Sequence, residues 1–428
     1  MSLIPLLTDY EKTHLHERQP LPDRYIGLGD DEMARRIADA KAALGRRLVI
    51  LGHHYQRDEV IRFADYTGDS YKLSQQVSKH PDAEFIIFCG VHFMAESADV
   101  LSAAHQQVLL PDLAAGCSMA DMAEPEQLEM CWRELEMMGL VAEGLEGREG
   151  RAPVVPVTYI NSSASIKAFV GEHGGVVCTS SNAAATLTWA WERGERILFL
   201  PDQHLGRNTA VKHGLDADTQ TCLYDPKRTK RGEPLGGATA EQILNAKVIL
   251  WAGHCSVHKL FRPEHCEQVR AANRAINREA QAAGEESTRI IVHPECAKEV
   301  VDLADDAGST EYILQAVRAS APGSRWAVGT EVHLVNRLAR EMAPKGVQVR
   351  MLSECQCLCT TMYRIDQPHL LWVLDNLCGI RVKDGKPEPA EPRAVNVIRV
   401  HPEVRRPALK ALDRMLRLST PGTVRSLD

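Results

Sequence analysis

The chain has 428 residues, of which 44% are hydrophobic and 25% are charged, a composition typical of a globular protein. Its net charge is −7, with both signs spread along the chain, which disfavours a nucleic-acid-binding protein. The apolar runs, such as Val248 to Ala252, are far shorter than the roughly 18 residues of a membrane span. The first residues lack the charged and apolar segments of a secretory signal. We therefore expect a cytoplasmic protein of about three domains, without membrane or nucleic-acid partners.

Three segments share one pattern, which indicates an internal threefold repeat. Each begins with an apolar strand that ends in polar side chains: Leu48 to Tyr55, Val154 to Asn161, and Ile290 to Glu295. After an amphipathic stretch comes a turn with small hydroxyl side chains: Gly68 to Ser70, Thr179 to Asn182, and Gly308 to Thr310. A second apolar run follows, and a last strand then ends at a cysteine: Cys117, Cys255 and Cys359.

Strands that alternate with amphipathic helices predict βαβ units and parallel sheets. We therefore predict an α/β protein with three similar three-layer αβα domains in a pseudo-threefold triangular arrangement. The predicted domains span residues 34–135, 136–272 and 273–385, and residues 1–33 and 386–428 are predicted to be terminal extensions. A basic insert at about residues 206–245 lengthens the middle copy, and we interpret it as a loop or excursion.

The twelve cysteines need an explanation, because disulfides are not expected in a cytosolic chain. Five of them are interpreted as small, buried apolar residues: Cys89, Cys131, Cys222, Cys266 and Cys378. The motif Cys355-x-Cys357-x-Cys359 instead indicates metal or redox chemistry. Whether Cys355 and Cys357 contribute to a metal site, are spare thiols or form a redox pair stays open.

If the three domains meet around an axis, the strand-end residues Cys117, Cys255 and Cys359 converge on it. Three thiolates favour an iron–sulfur cluster over zinc, and three ligands for four irons leave one iron with an open position. An open position allows Lewis-acid catalysis. The sequence therefore predicts a catalytic [4Fe–4S] cluster.

The same convergence would gather polar side chains around a cavity: His53, Tyr55, Tyr159, Asn161, His293 and Glu295. Ser70, Ser180 and Thr310 are expected at helix starts, where backbone N–H groups bind carboxylates or phosphates. The chain has neither a dinucleotide-binding nor a P-loop motif, so no nucleotide is implied. We expect acid–base chemistry on a small anionic substrate, with Glu295 and Tyr55 as proton-transfer groups.

Nine motifs make the chain resemble the quinolinate synthase family, the iron–sulfur enzymes of de novo NAD biosynthesis. They lie between about residues 48 and 365: Gly52-His-His-Tyr-Gln56, Ala64-Asp-Tyr-Thr-Gly-Asp-Ser70, Phe88-Cys-Gly-Val-His-Phe-Met-Ala-Glu96, Gly116-Cys-Ser-Met-Ala-Asp-Met122, Val157-Thr-Tyr-Ile-Asn161, Val177-Cys-Thr-Ser-Ser-Asn182, Trp251-Ala-Gly-His-Cys-Ser-Val-His258, Val292-His-Pro-Glu-Cys296 and Gly308-Ser-Thr310.

The resemblance implies three α/β domains around a [4Fe–4S] cluster held by Cys117, Cys255 and Cys359. It implies the condensation of iminoaspartate with dihydroxyacetone phosphate to quinolinate, phosphate and water, with iminoaspartate supplied by aspartate oxidase or aspartate dehydrogenase. Tyr55 and Glu295 would be catalytic. The substrate-binding residues that it implies are His53, Ser70, Tyr159, Asn161, Ser180, His293, Glu295 and Thr310.

The chain departs from the family at the third cysteine motif, which in many relatives is CxxCxxC followed by proline. Met362 keeps Cys359, rather than Cys357, in register with the family's ligand. Ser180 is selected over Ser181 by the Cys-Thr-Ser-Ser-Asn motif. Three other readings are weighed: an iron–sulfur sensor, an iron–sulfur hydro-lyase on another small acid, and a zinc hydrolase.

Overall fold

The computed structural model describes residues 19–141, 152–280, 287–354, 357–383 and 386–418. The chain divides into two compact units. The first comprises Met1–Gly68, Lys72–Cys117 and Thr360–Arg399, and the second comprises Asp69–Tyr71, Ser118–Cys359 and Val400–Asp428.

The first stretch of chain alternates strands with helices and forms a sheet with the order β2-β1-β3-β4. Its elements are α1 (Asp23–Ile26), α2 (Asp30–Leu44), β1 (Leu48–His53), α3 (Asp58–Ile61), β2 (Tyr66–Gly68), α4 (Ser70–Val77), β3 (Phe85–Cys89), α5 (His92–Leu101) and β4 (Gln107–Leu109). All residues of β1 and β3 are buried, as expected for central parallel strands that are covered on both faces.

The second stretch forms a sheet with the order β6-β5-β7-β9-β8, in which all strands are parallel. Its elements are α6 (Pro125–Met137), β5 (Ala152–Tyr159), α7 (Ala164–Glu172), β6 (Val176–Cys178), α8 (Ala183–Arg193), β7 (Gly194–Leu200), α9 (Gln203–Lys212), β8 (Thr221–Tyr224), α10 (Pro226–Lys230), α11 (Ala240–Asn245) and β9 (Val248–Trp251).

The third stretch forms a parallel sheet with the order β11-β10-β12-β13. Its elements are α12 (Pro263–Ala280), β10 (Arg289–Val292), α13 (Lys298–Leu303), β11 (Asp306–Ala307), α14 (Thr310–Arg318), β12 (Arg325–Gly329), α15 (Val332–Met342) and β13 (Gln348–Met351).

The C-terminal stretch contributes to both units. It contains α16 (Gln367–Leu377), the hairpin β14 (Ile380–Lys383) and β15 (Lys386–Pro389), β16 (Val397–Ile398) and α17 (Pro402–Leu418). In the first unit, β16 pairs antiparallel with β4. In the second unit, α17 packs so closely on α7 that a Cβ atom at Gly171 would lie 2.0 Å from the carbonyl oxygen of Pro407.

The predicted α/β class with parallel sheets is confirmed. In all three sheets the four strands of the repeat have the same spatial order: the second strand at one edge, then the first, the third and the last. In the second sheet the last strand of the repeat is β9, and β8 of the insert lies beyond it. The predicted domain boundaries stay a prediction, and residues 1–18 of the first extension lie outside the described residues. None of the helices within the described ranges is long and apolar enough to cross a membrane.

Of the two interpretations of residues 206–245, the loop is wrong, because the segment is an excursion with helices and a strand of its own. The segment contains most of α9 and all of β8, α10 and α11, and β8 extends the second sheet by pairing in parallel with β9. Tyr224 and Trp251 stack on these two strands, with ring centroids 5.5 Å apart. The four residues of β8 were too short an apolar run to stand out beside the basic residues that follow them.

Candidate active site

The strand registers make the predicted binding residues equivalent in the three sheets. His53 pairs with Gly68 in the first sheet and Tyr159 pairs with Cys178 in the second. In each sheet the predicted hydroxyl residue, Ser70 or Ser180, comes two positions after the paired residue. Each pair therefore occupies the carboxyl edge of its own sheet, where ligands of parallel α/β sheets bind.

The third sheet repeats this arrangement. Val292 pairs with Ala307, so His293 is next to Gly308 in register, and Thr310 again comes two positions later. Thr310 is the first residue of α14, and Ser309 caps that helix. In the middle copy, however, α8 begins at Ala183, so the expectation that Ser180 starts a helix is wrong.

One hydrogen bond recurs in all three sheets and places the three predicted cluster ligands equivalently. The N–H of the first residue of α5, α9 or α15 donates to a carbonyl group that lies two residues before the cysteine. The pairs are His92 N to Ala115 O at 2.8 Å before Cys117, Gln203 N to Gly253 O at 3.0 Å before Cys255, and Val332 N to Cys357 O at 3.1 Å before Cys359. By this criterion Cys359, rather than Cys357, corresponds to the other two cysteines.

Burial also separates these three cysteines from most of the others. Cys117, Cys255 and Cys359 are half-buried, whereas Cys357 is fully buried in an apolar cluster against which Cys255 and Cys359 both pack. Cys355 lies outside the described residues. The half-buried thiols are accessible enough to take part in chemistry.

The cysteines that we interpreted as apolar core residues are mostly buried. Cys89, Cys131, Cys222 and Cys266 are buried, and Cys378 is half-buried. Burial raises the pKa of Cys89 and of Cys222 to about 12, and that of Cys266 to about 11. These thiols stay protonated at neutral pH, which makes them poor metal ligands.

The second unit holds a buried group of polar side chains centred on Glu295. Tyr159 Oη donates a hydrogen bond of 2.6 Å to Glu295 Oε1, and His258 Nδ1 lies 2.8 Å from Oε2. His258 Nε2 is 3.1 Å from Thr330 Oγ1, and its ring stacks on that of His293 with centroids 4.5 Å apart. A carboxylate only accepts hydrogen bonds, so His258 donates from Nδ1.

The environment of Glu295 keeps it ionised. Burial alone would raise its pKa, but the hydrogen bonds from His258 and Tyr159 oppose burial and hold the pKa of this carboxyl group below its ordinary value. Burial lowers the pKa of His293 to about 3, so this imidazole is neutral at neutral pH. Glu295 is therefore an ionised carboxylate at neutral pH, with a hydrogen-bond partner at each of its two oxygens.

His53 and His293, the two histidines predicted to bind substrate, each accept a backbone hydrogen bond at Nδ1. His293 Nδ1 accepts the N–H of Glu295 at 3.3 Å, and His53 Nδ1 accepts the N–H of Tyr55 at 3.1 Å. Because Nδ1 is the acceptor, the proton of the neutral ring is on Nε2. Each histidine thus presents an N–H donor suited to a substrate oxygen. In the first unit, the ring of Tyr55 contacts that of His53, with centroids 4.7 Å apart.

Asn161 carries an orphaned polar atom. Its Oδ1 is buried and has no hydrogen-bond partner within the described residues. Leaving such an atom unpaired costs about 1–3 kcal/mol. This observation fits a side chain whose partner is a bound substrate.

The two candidate serines, Ser180 and Ser181, differ in position and partners, and the choice between them stays a prediction. Ser181 Oγ donates to Asp69 Oδ2 at 2.8 Å, so this hydroxyl already has a protein partner. Ser180 holds the position that corresponds to Ser70 and Thr310. The register therefore agrees with the selection of Ser180.

Sequence reasoning missed three residues of this group: His258, Thr330 and Asp202. His258 lies three residues after Cys255 within one of the motifs, and that spacing was a usable signal. One of its ring nitrogens, Cys255 Sγ and a Glu295 carboxylate oxygen all lie within 4.8 Å of one another. Asp202 is completely buried; burial and the charge of Glu295 raise its pKa well above the usual range. Glu295 is therefore immediately beside a predicted cluster ligand.

The α/β fold thus holds an ionised glutamate, a tyrosine and two histidines close to a half-buried thiol, an arrangement suited to acid–base chemistry. The family model for quinolinate synthetase A protein matches residues 35–417. The chain belongs to the quinolinate synthase family, and the predictions of this family and of an enzyme are confirmed.

Individual relatives match nearly the whole chain. The quinolinate synthase of Acidobacterium capsulatum is 52% identical over 396 residues, which cover 92% of this chain and 95% of the relative. That of Streptomyces coelicolor is 49% identical over 390 residues, covering 91% and 89%. That of Bacillus velezensis is 48% identical over 396 residues, covering 92% and 96%. The likeness therefore includes all three sheets.

Proposed function

We propose that this member of the quinolinate synthase family condenses iminoaspartate with dihydroxyacetone phosphate to quinolinate, phosphate and water, in the cytoplasm, for NAD biosynthesis. The observation that carries the proposal is the recurrence of one half-buried cysteine at the same hydrogen-bonded position of three sheets, in a chain of this family. Aspartate oxidase or aspartate dehydrogenase would supply the iminoaspartate.

The residues fit a [4Fe–4S] cluster held by Cys117, Cys255 and Cys359. Soft thiolates are the ligands that such clusters prefer, and these three are more accessible than the fully buried Cys357. Held by three thiolates, the cluster would supply a Lewis acid through its open iron.

Glu295 is the base that we assign to the proton transfers of condensation and ring closure. It is ionised at neutral pH, and Tyr159 and His258 hold both of its oxygens in place. His258 donates a hydrogen bond from Nδ1 to Oε2, which orients the carboxylate, and Thr330 Oγ1 lies 3.1 Å from its other nitrogen. Tyr55, in the first unit, is assigned the second proton-transfer role because its backbone and ring are fixed against His53.

The remaining residues bind the two anionic substrates. His53 and His293 donate from Nε2 to carboxylate or phosphate oxygens. The hydroxyl groups of Ser70, Ser180 and Thr310 occupy equivalent places at the carboxyl edges of the sheets. Asn161 supplies the orphaned Oδ1, which accepts a hydrogen bond from substrate, and Tyr159 contributes its ring.

Anaerobic purification followed by an assay of quinolinate formation tests this function. Iminoaspartate is generated enzymatically and mixed with dihydroxyacetone phosphate, and iron and inorganic sulfide are measured in the same samples. The wild type is compared with Cys359→Ser and with Cys357→Ser as the matched control. We expect the first variant to lose cluster and activity and the second to keep both. A wild type with an intact cluster but no quinolinate would refute the function and favour a hydro-lyase acting on another small acid.

A further inference from the structure

The backbone that leads to Cys255 is docked on the turn between β7 and α9. Asp202 forms a parallel bridge with Gly253, and Gln203 N–H donates to Gly253 O at 3.0 Å. A Cβ atom at Gly253 would lie 2.2 Å from the carbonyl oxygen of Pro201, so the two backbones approach as only glycine allows. The chain is therefore fixed two residues before the cysteine.

The side chain of Asp202 strengthens this docking. It is completely buried, and its Oδ1 caps α9 by accepting the N–H of Leu205 at 2.7 Å. The backbone N–H groups of His204 and Cys255 also face this carboxyl group, while its Oδ2 is buried and makes no hydrogen bond within the described residues. Asp202 thus joins the start of a helix to the backbone of a cluster ligand.

The residue at the position of Asp202 differs between the three sheets. At the corresponding position of the third sheet, Glu331 caps α15 by accepting the N–H groups of His333 and Leu334. In the first sheet the position is Val91, whose side chain cannot accept a hydrogen bond. In the second sheet, the carboxyl group of Asp202 faces the backbone N–H of Cys255, a predicted cluster ligand.

We infer that Asp202 and Gly253 are positioning residues that fix Cys255 for cluster binding. This inference rests on the proposed function, because it concerns the cluster that the three cysteines would hold. Residues that orient metal ligands typically change metal affinity about 10- to 100-fold when they are replaced. Neither residue needs to touch substrate for this role.

Asp202→Ser separates the cysteine contact from helix capping. Serine caps helices about as well as aspartate, but its shorter side chain stops short of the N–H of Cys255. We expect this variant to release iron to a chelator about 10- to 100-fold faster than the wild type. Asp202→Asn keeps an acceptor at the same reach and should restore slow release. Asp225→Ser is the control, since Asp225 caps α10 through the N–H of Lys227 at 2.9 Å.

Gly253→Ala tests the backbone contact independently of any side-chain hydrogen bond. Its added methyl group collides with Pro201, whereas a Cβ atom at Gly116, one residue before Cys117, meets nothing within 4 Å. We expect Gly253→Ala to release iron faster and Gly116→Ala to behave as the wild type. Comparing Gly253→Ala with Gly116→Ala controls for the addition of a methyl group close to a cysteine that would hold the cluster.

The measurements are iron and sulfide content, the rate of cluster loss to a chelator, the electron paramagnetic resonance spectrum of the reduced cluster, and urea unfolding of the metal-free proteins. Rapid loss and an altered spectrum in Asp202→Ser and Gly253→Ala, with rescue in Asp202→Asn, support the inference. Loss as slow as in the wild type, or equally fast in Asp225→Ser, overturns it. A wild type that contains neither iron nor sulfide overturns the proposed function as well.

Discussion

Replacing Glu295 by glutamine removes the charge of the assigned base and keeps the shape of the side chain. In the wild type, Glu295 accepts the Tyr159 hydroxyl at 2.6 Å and faces His258 Nδ1 at 2.8 Å. In the variant the amide oxygen still accepts from Tyr159, but the amide nitrogen meets His258, which must move its proton to Nε2. The substitution therefore tests ionisation rather than packing.

Glu295→Gln has two opposite effects on the free energy of unfolding, weaker hydrogen bonds and a lower cost of burial, and they partly cancel. A hydrogen bond to a charged group contributes about 1.5–3 kcal/mol and a neutral one about 0.5–1.5 kcal/mol, so losing the charge weakens both contacts by roughly 1 kcal/mol each. Burying a neutral amide, however, costs less than burying a carboxylate. We expect the free energy of unfolding to change by less than about 2 kcal/mol. Loss of a general base should lower the turnover rate about 10²- to 10⁴-fold.

Glu331→Gln is the matched control, because Glu331 is also completely buried and lies 2.8 Å from the Nδ1 of a histidine, His333. The assay measures quinolinate formation at equal iron content, together with urea unfolding. We expect the control to keep most of its activity. A Glu295→Gln variant with a loaded cluster and near-normal turnover, or a control that loses as much activity, would refute the assignment of Glu295 as base.

Three further predictions follow from the same structure. Asn161→Ala should raise the KM for substrate with little change in unfolding free energy, since Oδ1 has no protein partner among the described residues; an unchanged KM would remove Asn161 from the binding site. Ser180→Ala should raise KM more than Ser181→Ala in parallel assays, and the reverse order would contradict the register argument. His293 has a pKa of about 3 when folded against an ordinary 6.5, so the unfolded chain binds more protons between these values. The free energy of unfolding should then fall as the pH drops below about 6.5, by up to about 1.4 kcal/mol per unit; denaturation of His293→Asn should show a shallower slope, and an equal slope would contradict the shift.

The sequence predicted the parts of this protein that depend on short-range pattern. Apolar runs such as those of β1 and β3, and their polar ends, identified the sheets and residues such as His53 and Tyr159, because strand ends share one edge of a parallel sheet. Asp202 was not predicted, since its contact with the segment before Cys255 joins residues about 50 positions apart. The edge strand β8 was missed for a related reason: its burial depends on β9 and not on its own four residues.

The recurring amide-to-carbonyl bond before each cysteine makes the ligand positions insensitive to insertions. About 25 residues separate His92 from Cys117, and roughly twice as many separate Gln203 from Cys255, yet both segments return to the same kind of anchor. The longer segment contains β8, α10 and α11, and β8 extends the second sheet without displacing this anchor. Chain length upstream of the anchor can therefore drift during evolution, and ligands in divergent relatives should be identified by counting backward from the cysteine to the anchoring carbonyl.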